Sequence, residues 1–176
     1  VINKILSKSK YKFDYIDLGG GMGIKYNQKN KSLNYSKLSD SIYKFSKKNG
    51  CKIIFEPGRS IVGNTAVLLT KVIYIKNSST KKFIIIDAGM NDLVRPALYN
   101  SLHDIIPLTK KFSKNFKSHD FVGPICETSD RFLKTKNYQK IKAGDNLAIK
   151  DVGAYGIVLS SNYNLRPRPI EIIVKN

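Results

Sequence analysis

Residues 17–23 read DLGGGMG, and they close the apolar, β-rich run YKFDYIDL of residues 11–18. Glycine costs backbone entropy wherever it is ordered. Gly19, Gly20, Gly21 and Gly23 together therefore mark a place where the backbone must turn or approach something closely. At the carboxyl end of a parallel strand, such a run lets backbone N–H groups close on an anion, often a phosphate. Lys25 follows, but no GK[ST] does, and the spacing is not G-x-G-x-x-G, so neither common nucleotide-binding loop is present. A tight strand-to-loop turn would explain the same glycines.

Working outward, FDYIDL (13–18) reads as a buried strand with one Asp near its end. SKLSDSIYKFSKKNG (36–50) reads as a helix with Leu38, Ile42 and Phe45 on one face, Ser36 as cap and Gly50 as stop. CKIIF (51–55) is a second buried strand, halted by Glu56-Pro57-Gly58. Strand, glycine loop, helix, strand, polar loop is the alternation of a parallel α/β sheet. The pattern then changes. AVLLTKVIYIK (66–76), KFIIIDAG (82–89), DNLAIKDVGAY (145–155) and PIEIIVK (169–175) are strand-like runs, with NSSTKK (77–82) as a turn between the first two. They predict a mostly antiparallel β domain, a barrel or sandwich, over residues 66–176. Residues 1–65 are too few for an α/β barrel, which takes about 250 residues. They read as the carboxyl-terminal end of a TIM-like (β/α)8 barrel. The chain is thus expected to be a piece of a longer protein, clipped at both ends.

The bulk numbers exclude several classes. With 176 residues, 41% of them hydrophobic, the chain is globular. No stretch approaches the roughly 18 apolar residues of a membrane span, and VINKILSKSK is no secretory leader. Cys51 and Cys126 build no disulfide framework, in keeping with a reducing cytoplasm. A net charge of +18 invites a nucleic-acid reading. The lysines are scattered singly and in pairs (Lys29, Lys31, Lys47, Lys48, Lys81, Lys82, Lys110, Lys111), and no RNP, KH or zinc-finger pattern accompanies them. They read as solvated surface, with no nucleic acid and no membrane as partner.

Three further stretches carry chemistry. FEPGRS (55–60) ends the second strand, so Glu56 and Arg59 project beside the glycine loop, either as site residues or as a surface ion pair. DAGMNDLVRPALY (87–99) sets Arg95 and Tyr99 four apart, on one face if helical, and arginine offers a planar fork for a carboxylate. GPICETSD (123–130) puts Cys126 beside Glu127 in a loop, where a thiol can act as acid or nucleophile, or simply fill space. DVGAYGIVLSSNYNLRPRP (151–169) ends a strand at Gly153, Tyr155 and Gly156. His103 and His119 lack metal spacing and read as structural or surface residues.

In their order and spacing, DLGGGMGIKY, EPGRSIVGN, DAGMNDLVRPALY, VGPICETSD and DVGAYGIVLSSNYNLRPRP resemble the fold type III pyridoxal-phosphate decarboxylases, and within them the diaminopimelate branch. The resemblance covers nearly the whole chain. MNDLVRPALY, PICETSD and SSNYNLRPRP set it apart from the ornithine and arginine branches. It implies pyridoxal 5'-phosphate as cofactor and decarboxylation of meso-diaminopimelate to L-lysine and carbon dioxide, by a cytoplasmic homodimer. It implies that Gly19, Gly20 and above all Gly21 line the cofactor phosphate. Glu56 would pair with the ring nitrogen and so serve catalysis, while Pro57, Gly58 and Arg59 hold cofactor or substrate. Arg95, Tyr99 and Glu127 would grip the far amino-carboxylate of the substrate, Arg59 and Tyr155 would also bind substrate, and Tyr155 would reach the phosphate region. Cys126 would protonate the carbanion, and an ordinary thiol, with a pKa of about 8.5, is protonated at neutral pH. Cys126 and Glu127 would serve the neighbouring subunit's cofactor. The family's Schiff-base lysine and ring-stacking histidine belong to an upstream segment. No lysine here sits in that motif, so the chain alone is expected to be inactive. The rivals are a decarboxylase of another basic amino acid or of carboxynorspermidine, and a catalytically dead regulatory paralogue.

Overall fold

The computed structural model describes residues 2–26, 32–109, 114–115, 118–136 and 138–175, the pair 114–115 by backbone alone. Lys29, Lys31, Lys110 and Lys111 lie outside the described residues. A short α1 (Ile2–Leu6) leads to β1 (Tyr15–Asp17), α2 (Tyr35–Asn49), β2 (Lys52–Ile54) and the single turn α3 (Arg59–Val62). β1 and β2 pair in parallel, with Ile16 opposite Ile53. Helix α2 turns the half-buried face of Leu38, Ile42 and Phe45 inward, as its spacing predicts. It starts one residue before the expected stretch because Asn34, not Ser36, is the cap. The Asn34 side chain accepts the Lys37 N–H at 2.9 Å. Gly50 ends the helix at φ 62° as expected.

The two strands differ from their reading as buried. Tyr15 keeps 55% of its surface and Phe13 44%. Among the described residues each strand has one paired neighbour, and in each only the middle side chain is half-buried.

The β unit is β3 (Leu68–Asn77), β4 (Lys81–Ile86), the one-turn α4 (Arg95–Tyr99), β5 (Ile105–Pro107), β6 (Lys114–Asn115), β7 (Ser118–Val122), β8 (Arg131–Thr135), β9 (Tyr138–Gln139) and β10 (Asn146–Ile149). Two 3-10 turns, Ile157–Leu159 and Tyr163–Leu165, follow. Six strands form one mixed sheet in the order β5-β10-β3-β4-β7-β8, and β6 and β9 form a separate pair. Each neighbouring pair of the six is antiparallel except β4 with β7. The β3–β4 hairpin turns through the predicted NSSTKK, closed by the Ser78 N–H on the Lys81 carbonyl at 2.8 Å. One expected strand is absent: PIEIIVK pairs with nothing among the described residues, and Ile172, Ile173 and Val174 are exposed. A strand exists only by pairing, and propensity alone does not supply a neighbour.

This topology decides where the loops go. β10 is antiparallel to β3, and β3 to β4, so β10 runs the same way as β4, and the parallel step adds β7. All three strands therefore end at one edge of the sheet. DAGMND leaves β4 there, GPICETSD leaves β7, and DVGAY leaves β10. Parallel neighbours need a long crossover. The β4-to-β7 crossover is what carries α4 and Arg95.

Val72, Ile84, Ile86, Leu147, Ile149, Phe121 and Phe132 fill the core beneath. Phe121 has no exposed surface and meets the Tyr138 ring edge-on at 4.8 Å between centroids. Tyr138 anchors itself by donating to the Ile105 carbonyl at 2.7 Å. Phe121→Ala should therefore leave a cavity rather than a repacked core and lower unfolding stability by about 3–5 kcal/mol in chemical denaturation. A loss under about 1 kcal/mol would show that this part of the sheet is not the core.

Candidate active site

The glycine loop and FEPGRS are held together by backbone. The Leu18 N–H donates to the Ile54 carbonyl and the Glu56 N–H to the Gly19 carbonyl, both at 3.0 Å. The Asp17 carboxylate accepts the Gly19 N–H at 2.7 Å and sharpens the turn. Gly20 has no room for a side chain, since a Cβ there would stand 2.5 Å from the Glu56 carbonyl oxygen. Gly21 adopts φ +83° with open space around it. Open space around Gly19, Gly21 and Gly23 leaves this strip of backbone free to be approached closely, as an anion requires.

The sheet edge meets this strip. A Cβ on Gly58 would stand 2.8 Å from the Tyr155 hydroxyl, so that hydroxyl already lies against the EPGR turn. The Gly153 N–H donates to the Gly63 carbonyl at 3.0 Å, and a Cβ on Gly153 would strike the Val62 carbonyl oxygen. Arg95 lies in α4 with 5% of its surface left. Its guanidinium carbon is 5.8 Å from the centre of the Tyr26 ring, 5.5 Å from Tyr99 and 6.0 Å from Tyr155. Tyr99 is thus on the same helix face, as the four-residue spacing predicts. Among the described residues no carboxylate pairs with Arg95, and no ion pair joins Glu56 to Arg59. The Nε groups of both arginines are buried without a hydrogen-bond partner among the described residues. Two buried guanidinium donors without partners among the described residues have the chemistry to take an anionic ligand.

The sequence model of the family described as "Pyridoxal-dependent decarboxylase, C-terminal sheet domain" matches residues 9–153. The chain belongs to this family. Its architecture is accordingly the end of an α/β barrel followed by the family's sheet domain. Diaminopimelate decarboxylase of Aquifex aeolicus is 44% identical over 171 residues, covering 97% of this chain and 40% of that protein. Helicobacter pylori diaminopimelate decarboxylase, solved with L-lysine, superposes with a TM-score of 0.77 at 40% identity, over 88% of this chain and 38% of the other. The M. jannaschii enzyme, also solved with L-lysine, gives 0.81 at 38% identity, over 96% and 40%. The chain thus spans about 40% of the length of the curated relatives it matches. The glycine strip, the Tyr155 hydroxyl and the unpartnered Arg59 fit a phosphate-bearing pyridoxal cofactor.

Cys126 and Glu127 occupy the β7–β8 loop and are exposed. Packing alone therefore accounts for the buried Cys51 but not for Cys126. Tyr163 donates to a Glu127 carboxylate oxygen at 2.8 Å, which raises the tyrosine hydroxyl above its ordinary range. Among the described residues no hydrogen bond or ion pair joins Cys126 or Glu127 to Glu56, Arg59 or Tyr155. The sequence reading gave Asp130 no role. Its carboxylate accepts the Met90 N–H at 2.8 Å and the Ile125 N–H at 2.7 Å, which ties the Cys126 loop to the segment before Arg95. No local pattern flags it, because its two donors lie on different loops. Arg166 backs the same segment, donating to the Asp87 carbonyl at 2.6 Å and the Asn91 side chain at 3.1 Å.

Burial pushes the Asp130 carboxyl above its usual value, against the pull of its two backbone donors. A raised folded value means its contribution to stability is complete below the ordinary carboxylate range and is lost as pH rises through the raised value. Asp130→Asn keeps one acceptor oxygen, so one backbone N–H loses its partner. We expect a stability loss of about 1–3 kcal/mol, larger at acid than at neutral pH. Thermal midpoints of both proteins across that range check it, and an equal gap at all pH values would count against it.

Proposed function

We propose that this chain forms part of an enzyme that removes carbon dioxide from meso-diaminopimelate and yields L-lysine. The observation that carries the reading is Arg95: a guanidinium buried among three tyrosines, one of them Tyr26, five residues past Gly21, with no acid partner among the described residues. A buried charge is costly unless paired. The missing partner is best supplied by the far carboxylate of the substrate. A decarboxylase of another basic amino acid or of carboxynorspermidine would need a different anion there, so it is the weaker reading. The 44% identity to a diaminopimelate decarboxylase supports the same choice.

In this reading Gly19, Gly20 and Gly21 cradle the cofactor phosphate, with Tyr155 beside it. Glu56 faces the ring nitrogen, and Pro57, Gly58 and Arg59 border cofactor and substrate. Pyridoxal phosphate, when bound, supplies the electron sink that makes loss of carbon dioxide feasible. Arg95 and Tyr99 hold the distal carboxylate in a fixed direction. Glu127, oriented by Tyr163, takes the distal amine. Cys126 holds the proton that replaces the departing carboxyl. Because Cys126 and Glu127 stand exposed on a separate loop, we place them at a neighbouring subunit's site in a cytoplasmic homodimer, with the barrel part ending near residue 65. Both cysteines are free, in keeping with a reducing compartment.

The full-length protein loaded with pyridoxal phosphate should release carbon dioxide from meso-diaminopimelate and not from ornithine or arginine. Cys126→Ala should lower kcat by about 10²- to 10⁴-fold, with little change in KM. Preference for ornithine would reject the substrate. A normal kcat in the alanine variant would reject Cys126 as proton donor.

A further inference from the structure

Tyr26 closes the glycine-rich segment, five residues past Gly21, and its hydroxyl accepts a hydrogen bond from Arg95 Nη2 at 3.2 Å. This contact spans 69 residues and joins the strip beside the cofactor loop to the β4–β7 crossover. Behind Tyr26 lies His103, with 1% of its surface exposed, its ring edge-on to the tyrosine at 4.9 Å between centroids. His103 Nδ1 is 2.8 Å from the Lys150 carbonyl, which can only accept, so that nitrogen carries the hydrogen. Burial, with a smaller push from Arg95, holds the imidazole below its ordinary pKa and therefore neutral.

A carboxylate in the position of Tyr26 would also fix Arg95, but it would cancel the charge. A phenol fixes the guanidinium through one N–H and a ring face while leaving the positive charge for a ligand. We propose that Tyr26, buttressed by His103, is the positioning residue that aims Arg95, and thereby sets preference for substrates carrying a distal carboxylate. This rests on the reading of Arg95 given above.

The test measures Kd by calorimetry on the cofactor-loaded full-length protein, with L-lysine and with 1,5-diaminopentane, which lacks the carboxylate. Tyr26→Phe keeps the ring and loses the hydroxyl. It should weaken L-lysine by about tenfold, the low end for a hydrogen bond to a charged group, and leave diaminopentane within about twofold. Unchanged diaminopentane binding also reports an intact fold, and Tyr26→Leu carries the same expectation if the Phe variant does not accumulate. Equal weakening of both ligands would make Tyr26 merely structural and overturn the proposal, as would parental binding of both. Arg95→Lys should lower further the preference ratio, the Kd for diaminopentane divided by that for L-lysine. If it leaves the ratio at the parental value while Tyr26→Phe changes it, the reading of Arg95 has failed. If only Tyr26→Phe leaves it unchanged, the positioning role has failed.

Discussion

An arginine buried without a carboxylate partner among the described residues is the constraint on which the rest of this site depends. Water solvates a guanidinium well, and a protein interior does so only through hydrogen bonds or ring faces. Here the faces come from Tyr26, Tyr99 and Tyr155, which lie on three separate segments. Each segment must be in place for the charge to be tolerated. The fold around Arg95 is therefore arranged as a set of contacts that hold it while leaving its charge uncancelled.

The sheet delivers those contacts through strand direction. β4, β7 and β10 end at one edge, so three loops distant in sequence gather there. The parallel strands β1 and β2 bring two more loops, and two glycines make the junction possible. Gly58 leaves room for the Tyr155 hydroxyl, and Gly153 leaves room for the backbone at the end of α3. Asp130 then ties the edge loops to one another through backbone N–H groups. Secondary structure sets direction, and the glycines and the carboxylate set distance.

Much of this was legible in the residues. Alternation of strand and helix before residue 65, and β-rich runs after it, announced the change of architecture. Two expected juxtapositions form: DLGGGMG and EPGRS meet, and Arg95 and Tyr99 share a face. What failed to show was what depends on partners. PIEIIVK has the composition of a strand but no neighbour, and β1 has the composition of a buried strand but cover on one side. The short strands β5, β7 and β8 are too brief for periodicity to reveal. His103 looked ordinary because its role comes from burial behind Tyr26, which no local pattern encodes. Asp130 was hidden for the same reason, since its donors at Met90 and Ile125 become neighbours only when two loops fold together.

The long reach of the Tyr26–Arg95 contact has a consequence for how the molecule matures. Neither the strand–helix segment nor the β sheet can form that hydrogen bond by itself, because its two ends lie on different segments. A chain whose sheet has formed but not docked presents an arginine aimed at nothing. The aim of that arginine is thus a property of the docked chain, fixed by two residues 69 positions apart.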